Sequence, residues 1–341
     1  MKPLEEYLTP TQEALFDKLR GMYRGRVCSF CKKNYILVRG KAPVMLVAHL
    51  DTVHDEPVRE ICKTQNGNIL MSPQGIGGDD RCGVYALTAV YEQSQVKPWL
   101  LFTCEEEVGG VGAEQFCLKH SAGKLPKELD ELKLLVEIDR KGKNDAVYYD
   151  CDNPDFEEYI TSKGFKTAFG SFSDISYVAP ELGVAAVNLS SGYYNAHTLH
   201  EYINRKHLNA TVRRVIEIVA DAAKPDFPKY EYIECVRNFR GLGRYSGWSD
   251  WDDYGYLRGT GSAKGSGVSA SYDEPNLDNI PAEIRDEYFA LLDFYTVEEL
   301  EEIRAEQGDR AIPMLCQSEF GDDFYGMFED DYDDGEEAAS Q

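Results

Sequence analysis

The chain has 341 residues, 43% of them hydrophobic, and a net charge of −24, a length that suits one large core with appendages. Its apolar runs are too short to span a membrane, and so acidic a chain lacks the basic face that nucleic-acid phosphates require. The charge is unevenly spread: residues 1–224 hold 31 acidic and 27 basic side chains, whereas 225–341 hold 29 and 9.

The opening MKPLEEYLTP has no basic stretch followed by an apolar one, so no secretion signal is expected and the expected location is cytoplasmic. Cysteines inside apolar stretches (Cys62, Cys82, Cys104, Cys117) suit free thiols in a reducing compartment. Cys28 and Cys31 form a C-x-x-C pair, but no second pair follows at zinc-finger spacing, so a structural role is expected.

Thr9-Pro10-Thr11-Gln12 has the form of a helix start, with Thr as cap, Pro in the first turn and Gln closing the box. That helix is expected to run to about Tyr23. Short β-rich runs follow at 34–38, 43–48, 99–104, 133–138, 146–149 and 183–189, with helical patterns at 83–93, 111–121, 154–163 and 205–223. Continuous rather than alternating apolar strands, interleaved with helices, predict an α/β fold with a mostly parallel mixed sheet sandwiched by helices.

After Pro225 the periodicity fails. The expected organisation is a folded domain over 1–224, a Gly/Ser/Tyr-rich flexible linker over 225–279, a short helical segment over 280–316, and an acidic disordered tail over 317–341. Arg240-Gly241 and Arg258-Gly259 in the linker are too few against this acidity to suggest an RNA site. In the helical segment, Pro281 opens one helix with Ile280, Ile284, Tyr288 and Leu292 on a face. Thr296 and Glu299 cap another, containing Val297, Leu300 and Ile303. A protein partner for the acidic C-terminal region is a further expectation.

Five fragments place metal-binding side chains directly after a strand or at a turn: VAHLDTV (47–53), GIGGDDRCG (75–83), FTCEEEVGGVG (102–112), VEIDRKG (136–142) and YNAHTLHEY (194–202). Singly each is weak, because His-x-Asp and Asp-Asp beside glycines are usually satisfied turns and Glu-Glu-Glu is usually a solvated helix start. Repeated at the ends of buried strands, where unpaired charge is costly, such carboxylates call for a cation. His and carboxylate ligands together suit zinc with a position left open for water.

The order His-x-Asp, Gly-x-Asp-Asp, Glu-Glu-Val-Gly, Asp, His-x-x-x-Glu resembles the co-catalytic di-zinc exopeptidase clan over residues 40–223. GGDDRCGVYAL, CEEEVGGVGA and YYNAHTLHEY are similar in texture to its tripeptidase T-like members. The resemblance implies a zinc exopeptidase-like phosphorylase/hydrolase fold and two Zn2+ or other divalent ions. Asp79 would bridge the ions, with a cis bond to Asp80. His49 and Asp139 would hold one ion, Glu107 and His197 the other. Asp51 would accept a hydrogen bond from His49, and Glu106 would be the general base.

In Glu105-Glu106-Glu107 the family pattern selects the two residues before Val-Gly. In HTLHE it selects His197 over His200, which is left as a substrate-facing donor or a surface residue. His54 and His207 are expected to be structural or exposed. Asp174, in SFSDISY, is either a loop-positioning residue or an ordinary one. His197 follows Asp139 by only 58 positions, leaving no room for the lid or dimerisation domain that tripeptidase T-like relatives carry there.

The function implied is zinc-dependent exopeptidase action on a short peptide. An N-acyl amino-acid deacylase of the same clan, and a non-catalytic scaffold acting through the acidic C-terminal region, are the alternatives.

Overall fold

A computed structural model describes residues 2–234, apart from 55, 169 and 171, and parts of 280–320. The linker arginines, the Thr296 cap, Leu292 and the tail beyond 320 lie outside the described residues. Two compact units are present, Met1–Cys235 and Val236–Gln341.

The first unit begins with α1 (Glu5–Leu8) and α2 (Gln12–Met22). The cap of α2 is Thr11, whose side chain accepts the Ala14 N–H at 3.3 Å. Thr9, expected in that role, instead donates its hydroxyl to Glu5 O at the end of α1, a short helix that the sequence pattern did not signal.

All six expected strands and all four expected helices of this unit form, joined by shorter elements. In chain order come β1 (Val27–Cys31), β2 (Tyr35–Val38), β3 (Val44–His49), β4 (Cys62–Lys63), β5 (Ile69–Met71), α3 (Gly78–Gln93), β6 (Trp99–Thr103) and α4 (Val111–Ser121). Then follow β7 (Leu134–Arg140), β8 (Asp145–Val147), α5 (Pro154–Ser162), β9 (Lys166–Thr167), α6 (Ile175–Leu182), β10 (Ala186–Ser190), β11 (Tyr193–Tyr194), β12 (Tyr202–Asn204) and α7 (Arg205–Ala222).

Eight strands form one mixed sheet in the order β1-β2-β6-β3-β7-β10-β8-β9. Its centre, β6-β3-β7-β10, is parallel. These strands are covered on both faces, which explains their unbroken apolar character. Helices α3 and α7 pack on one face, over Leu46, Ala48 and Val136, while α4 and α6 cover Met45, Val47, Leu101 and Leu135 on the other. The small strands β11-β12-β5-β4 make a separate antiparallel sheet.

Close approach fixes Gly112 in the first turn of α4. Its N–H donates to Cys104 O at 2.9 Å, and a Cβ there would lie 2.4 Å from Asn34 O and 2.6 Å from Cys104 N and O. Backbone cannot swing aside as a side chain can, so Gly112→Ala is expected to cost about 1–3 kcal/mol. The measurement is the urea midpoint at unchanged slope; a midpoint equal to wild type would refute the tight contact.

The first unit continues past the expected boundary at 224. Tyr230 is buried, its ring 5.1 Å from that of Phe156 and stacked 5.7 Å from that of Tyr159. Its backbone bonds to Lys133 O and Ala185 N. Residues 225–234 therefore belong with the sheet rather than with a linker, held by aromatic packing that no periodicity announces.

In the second unit Ile280, Ile284 and Tyr288 are buried at the expected positions, with Leu291 beside them. Tyr288 donates to Glu301 at 2.8 Å. A helix over Ala311–Phe320 crosses the boundary expected between 316 and 317. Every described cysteine is free. No described helix is long and apolar enough to cross a membrane.

Candidate metal centre

Strand register gathers the expected residues. β3 and β6 pair so that His49 faces Thr103, and β3 and β7 so that Val47 faces Glu137. Two residues further on, His49 and Asp139 become neighbours at the carboxyl end of the sheet. Because β6 lies on one side of β3 and β7 on the other, the connections diverge there. A crevice at such a point is where open α/β sheets bind ligands.

The other residues arrive on loops. Asp79 and Asp80 open α3 and are joined by a cis peptide, the feature that the family resemblance implies. Both have non-helical backbone angles, and Asp80 Oδ1 accepts the Gly83 N–H at 2.8 Å, capping the regular helix that follows. Glu105–Glu107 sit between β6 and α4, and His197 sits on the β11–β12 loop.

Asp79 stands between two imidazoles. Its Oδ1 lies 3.2 Å from His49 Nε2, and its Oδ2 lies 3.4 Å from His197 Nε2. On one side Asp139 Oδ1 is 3.6 Å from His49 Nε2; on the other Glu107 Oε2 is 3.1 Å from His197 Nε2. Asp51 Oδ1 lies 3.3 Å from His49 Nδ1, slightly long for a hydrogen bond. Its Oδ2 accepts the Glu107 N–H at 3.1 Å. Glu106 Oε2 stands back, 3.9 Å from His49 Nε2.

Seven expected site residues thus converge, while two rivals do not. Glu105 turns away to accept a hydrogen bond from Gln12 Nε2 at 2.7 Å, and His200 is exposed. The two halves differ in access, since the His49 side chain is 1% exposed and that of His197 38%.

Further residues support the cluster: Asp174, His54 and His207 were weighed from the sequence, whereas Asn188, Tyr193, Glu137 and Arg81 had no local signal. Asn188 Oδ1 accepts the Asp139 N–H at 2.8 Å, and the Tyr193 hydroxyl donates to Asp139 O at 3.2 Å. Glu137, fully buried, accepts from the Ser173 hydroxyl. Asp174 is also fully buried and accepts from the Thr103 hydroxyl. His54 pairs with the buried Glu201 at 3.0 Å, and His207 with the Tyr194 hydroxyl at 2.6 Å. Arg81, buried next to Asp80, donates to Tyr7 O at 2.9 Å and Pro10 O at 3.0 Å, drawing the N-terminal segment against the base of α3.

Carboxylates outnumber cationic groups here, and the ionisation shows it. Burial, reinforced by Asp79, pushes the Asp139 carboxyl well above its usual range. Burial and then Asp139 do the same to Asp80, and burial with Asp174 does so to Glu137. Burial also raises Glu106 against the opposing pull of His49, and lifts Asp174 to about 7. Burial alone would lower His49, but Asp139, Asp51 and Asp79 outweigh it and hold the imidazole high. Asp79, though buried, is held low by His197 and His49.

The residues fit divalent cations. Ligand atoms of His49, Asp79 and Glu107 lie within 4.8 Å of one another, as do those of His49, Asp80 and Asp139. Glu107 Oε1 and Asp80 Oδ2 are buried with no hydrogen-bond partner. Such orphaned acceptors are costly unless a cation or donor meets them. Asp80 was not among the expected ligands. One of its oxygens is already spent on capping α3, which leaves the other for this role.

No family model matches the sequence, and no curated protein matches it. By structure the chain is similar to a tripeptidase from Staphylococcus aureus, at 15% identity over 64% of this chain and 96% of that one, with a TM-score of 0.49. It is similar to aminopeptidase PepT from Bacillus cereus, at 14% identity over 65% and 98%, with a TM-score of 0.48. The TET1 peptidase of Pyrococcus horikoshii is similar at 14% identity over 64% and 99%, with a TM-score of 0.44.

Proposed function

We propose that the chain is a metal-dependent exopeptidase that removes the amino-terminal residue of short peptides at a site for two divalent cations, zinc by its donor chemistry. One observation carries this reading: the two oxygens of Asp79 face two separate His–carboxylate pairs. His49 and Asp139 would hold one cation, Glu107 and His197 would hold the other, and Asp79 would serve both. When bound, such cations supply Lewis acidity to a water molecule and to the scissile carbonyl.

The chain's own residues do the rest. Glu106, beside His49 but beyond hydrogen-bond distance, takes the proton from the attacking water and returns it to the leaving amine. Asp51 steadies both halves at once, through His49 Nδ1 and the Glu107 backbone. The free thiols accord with a reducing compartment, and a cytoplasmic location is proposed on that ground.

The loops of the site also carry exposed apolar side chains: Val53 near Asp51, Val108 after Glu107, Phe172 near Asp174 and Leu199 near His197. They offer apolar surface to a substrate side chain. Peptides beginning with Leu or Phe are expected to be cleaved with a kcat/KM at least about tenfold above those beginning with Asp, the effect of burying one large apolar side chain.

The test is a mass-spectrometric digest of such peptides, each offered with a free and an acetylated amino terminus in the presence of zinc. Cleavage confined to free-amino peptides supports the proposal. Attack only on blocked substrates would replace it with the deacylase reading. No cleavage of any substrate by zinc-loaded protein would sink the enzymatic reading altogether.

A further inference from the structure

We propose that Glu201 and His54 form a positioning pair that sets Asp79 between the two halves of the site. The inference rests on the two-cation reading above and extends it to residues that touch neither ion.

Glu201 is fully buried. Its Oε1 accepts the Asp79 N–H at 2.9 Å, and its Oε2 accepts the Gly77 N–H at 2.9 Å. His54 Nε2 lies 3.0 Å from the same Oε2 and supplies its third hydrogen bond. A carboxylate this deep is tolerated only when its lone pairs are met by well-placed donors, and here two of the three donors belong to the loop that presents Asp79.

The loop is shaped around the pair. A Cβ on Gly75 would lie 2.3 Å from the His54 ring, and one on Gly78 would lie 3.0 Å from Glu201 Oε1. Gly75 and Gly77 also have φ of 78° and 60°, a region that favours glycine.

Each member also belongs to a loop that carries another site residue. Glu201 follows His197 by four positions, and His54 follows Asp51 by three. The pair therefore ties together three loops that are remote in sequence, at the residue both ions would share. A residue that acts by placing a shared ligand affects both ions, whereas a ligand of one ion affects that ion alone.

Zinc titration of the full chain against a competing chelator separates these roles. Wild type is expected to take up two zinc ions. Glu201→Gln keeps the shape but turns an amide donor towards the Gly77 N–H or the Asp79 N–H. It should still saturate at two ions, with both steps weakened about tenfold to a hundredfold, the usual effect of removing a residue that supports a ligand. His54→Gln should weaken both steps in the same direction by less, and His197→Ala should saturate at one.

Melting the metal-free proteins in parallel separates positioning from folding. Folded Glu201→Gln protein that binds both ions with wild-type affinity would overturn the proposal, whatever its melting temperature. Should Glu201→Gln not fold, His54→Gln decides, since it leaves the carboxylate and both backbone bonds in place. Unchanged zinc affinity in that variant overturns the pair. A wild-type protein that takes up no zinc overturns the two-cation reading itself, and the pair's role with it.

Discussion

Glu106→Gln is expected to lower turnover at least about a hundredfold, the low end for general acid–base catalysis, while both metal positions remain occupied. Two observations make this the sharpest substitution. Glu106 Oε2 lies 3.9 Å from His49 Nε2 and makes none of the closer contacts that join Asp79, Asp139 and Glu107 to the imidazoles. Its side chain is nevertheless only 11% exposed, so it is largely withdrawn from bulk water. Gln preserves that shape and fill but cannot accept and return a proton at neutral pH. Steady-state kinetics alongside metal analysis gives the answer, and near-wild-type turnover with full metal content would remove Glu106 from the mechanism.

Zinc loading of both positions is expected to raise the melting temperature by roughly 15–30 °C. A ligand a thousandfold above its dissociation constant stabilises by about 4 kcal/mol per site. In a domain of 150–250 residues each kcal/mol moves the midpoint by about 2–4 °C.

The shift should also grow between about pH 5.5 and about pH 7.5. Burial holds Asp174 at about 7 and the Asp80, Glu106, Glu137 and Asp139 carboxyls well above their ordinary values. Folded metal-free protein therefore retains protons that the unfolded chain has released, and its stability falls as pH rises from about 4 through those raised values. The imidazoles act in the same sense. Burial would lower His197, but Asp79 and Glu107 carry it to about 11, so its contribution is lost only as pH climbs above its unfolded value. Asp79 and Asp51, held low, contribute fully across this window.

Cations take the place of the retained protons. Calorimetry at the two pH values, with zinc and with a chelator, tests the sign. A shift that shrinks at the higher pH, or is absent at saturating zinc, would contradict the proposed donor set.

The candidate cluster was legible where the chemistry is local. His49, Glu106, Glu107 and Asp139 directly end or follow buried strands, and a continuous apolar run is visible in a linear string. The parts that escaped depend on remote partners. β11 and β12 span two and three residues and exist by pairing with each other and with β5. Helix α6 is short and contains Pro180, which weakens any helical pattern. His54 and Glu201 meet across 147 positions, and nothing near either residue advertises the other. The N-terminal cap was misplaced by two residues because Thr9 and Thr11 both suit the role, and only the presence of α1 assigns Thr9 to its end.

The anchoring of the N-terminal segment bears on the seating of α3. Leu4, Tyr7 and Leu8 are buried, the carbonyls of Tyr7 and Pro10 are engaged by Arg81, and Lys18 donates to Glu6 O. Loss of these contacts would strip the cover from Arg81 and loosen the base of α3, beside Asp79 and Asp80. A segment that supplies no ligand would in that way still govern how firmly the helix carrying the central carboxylate is seated.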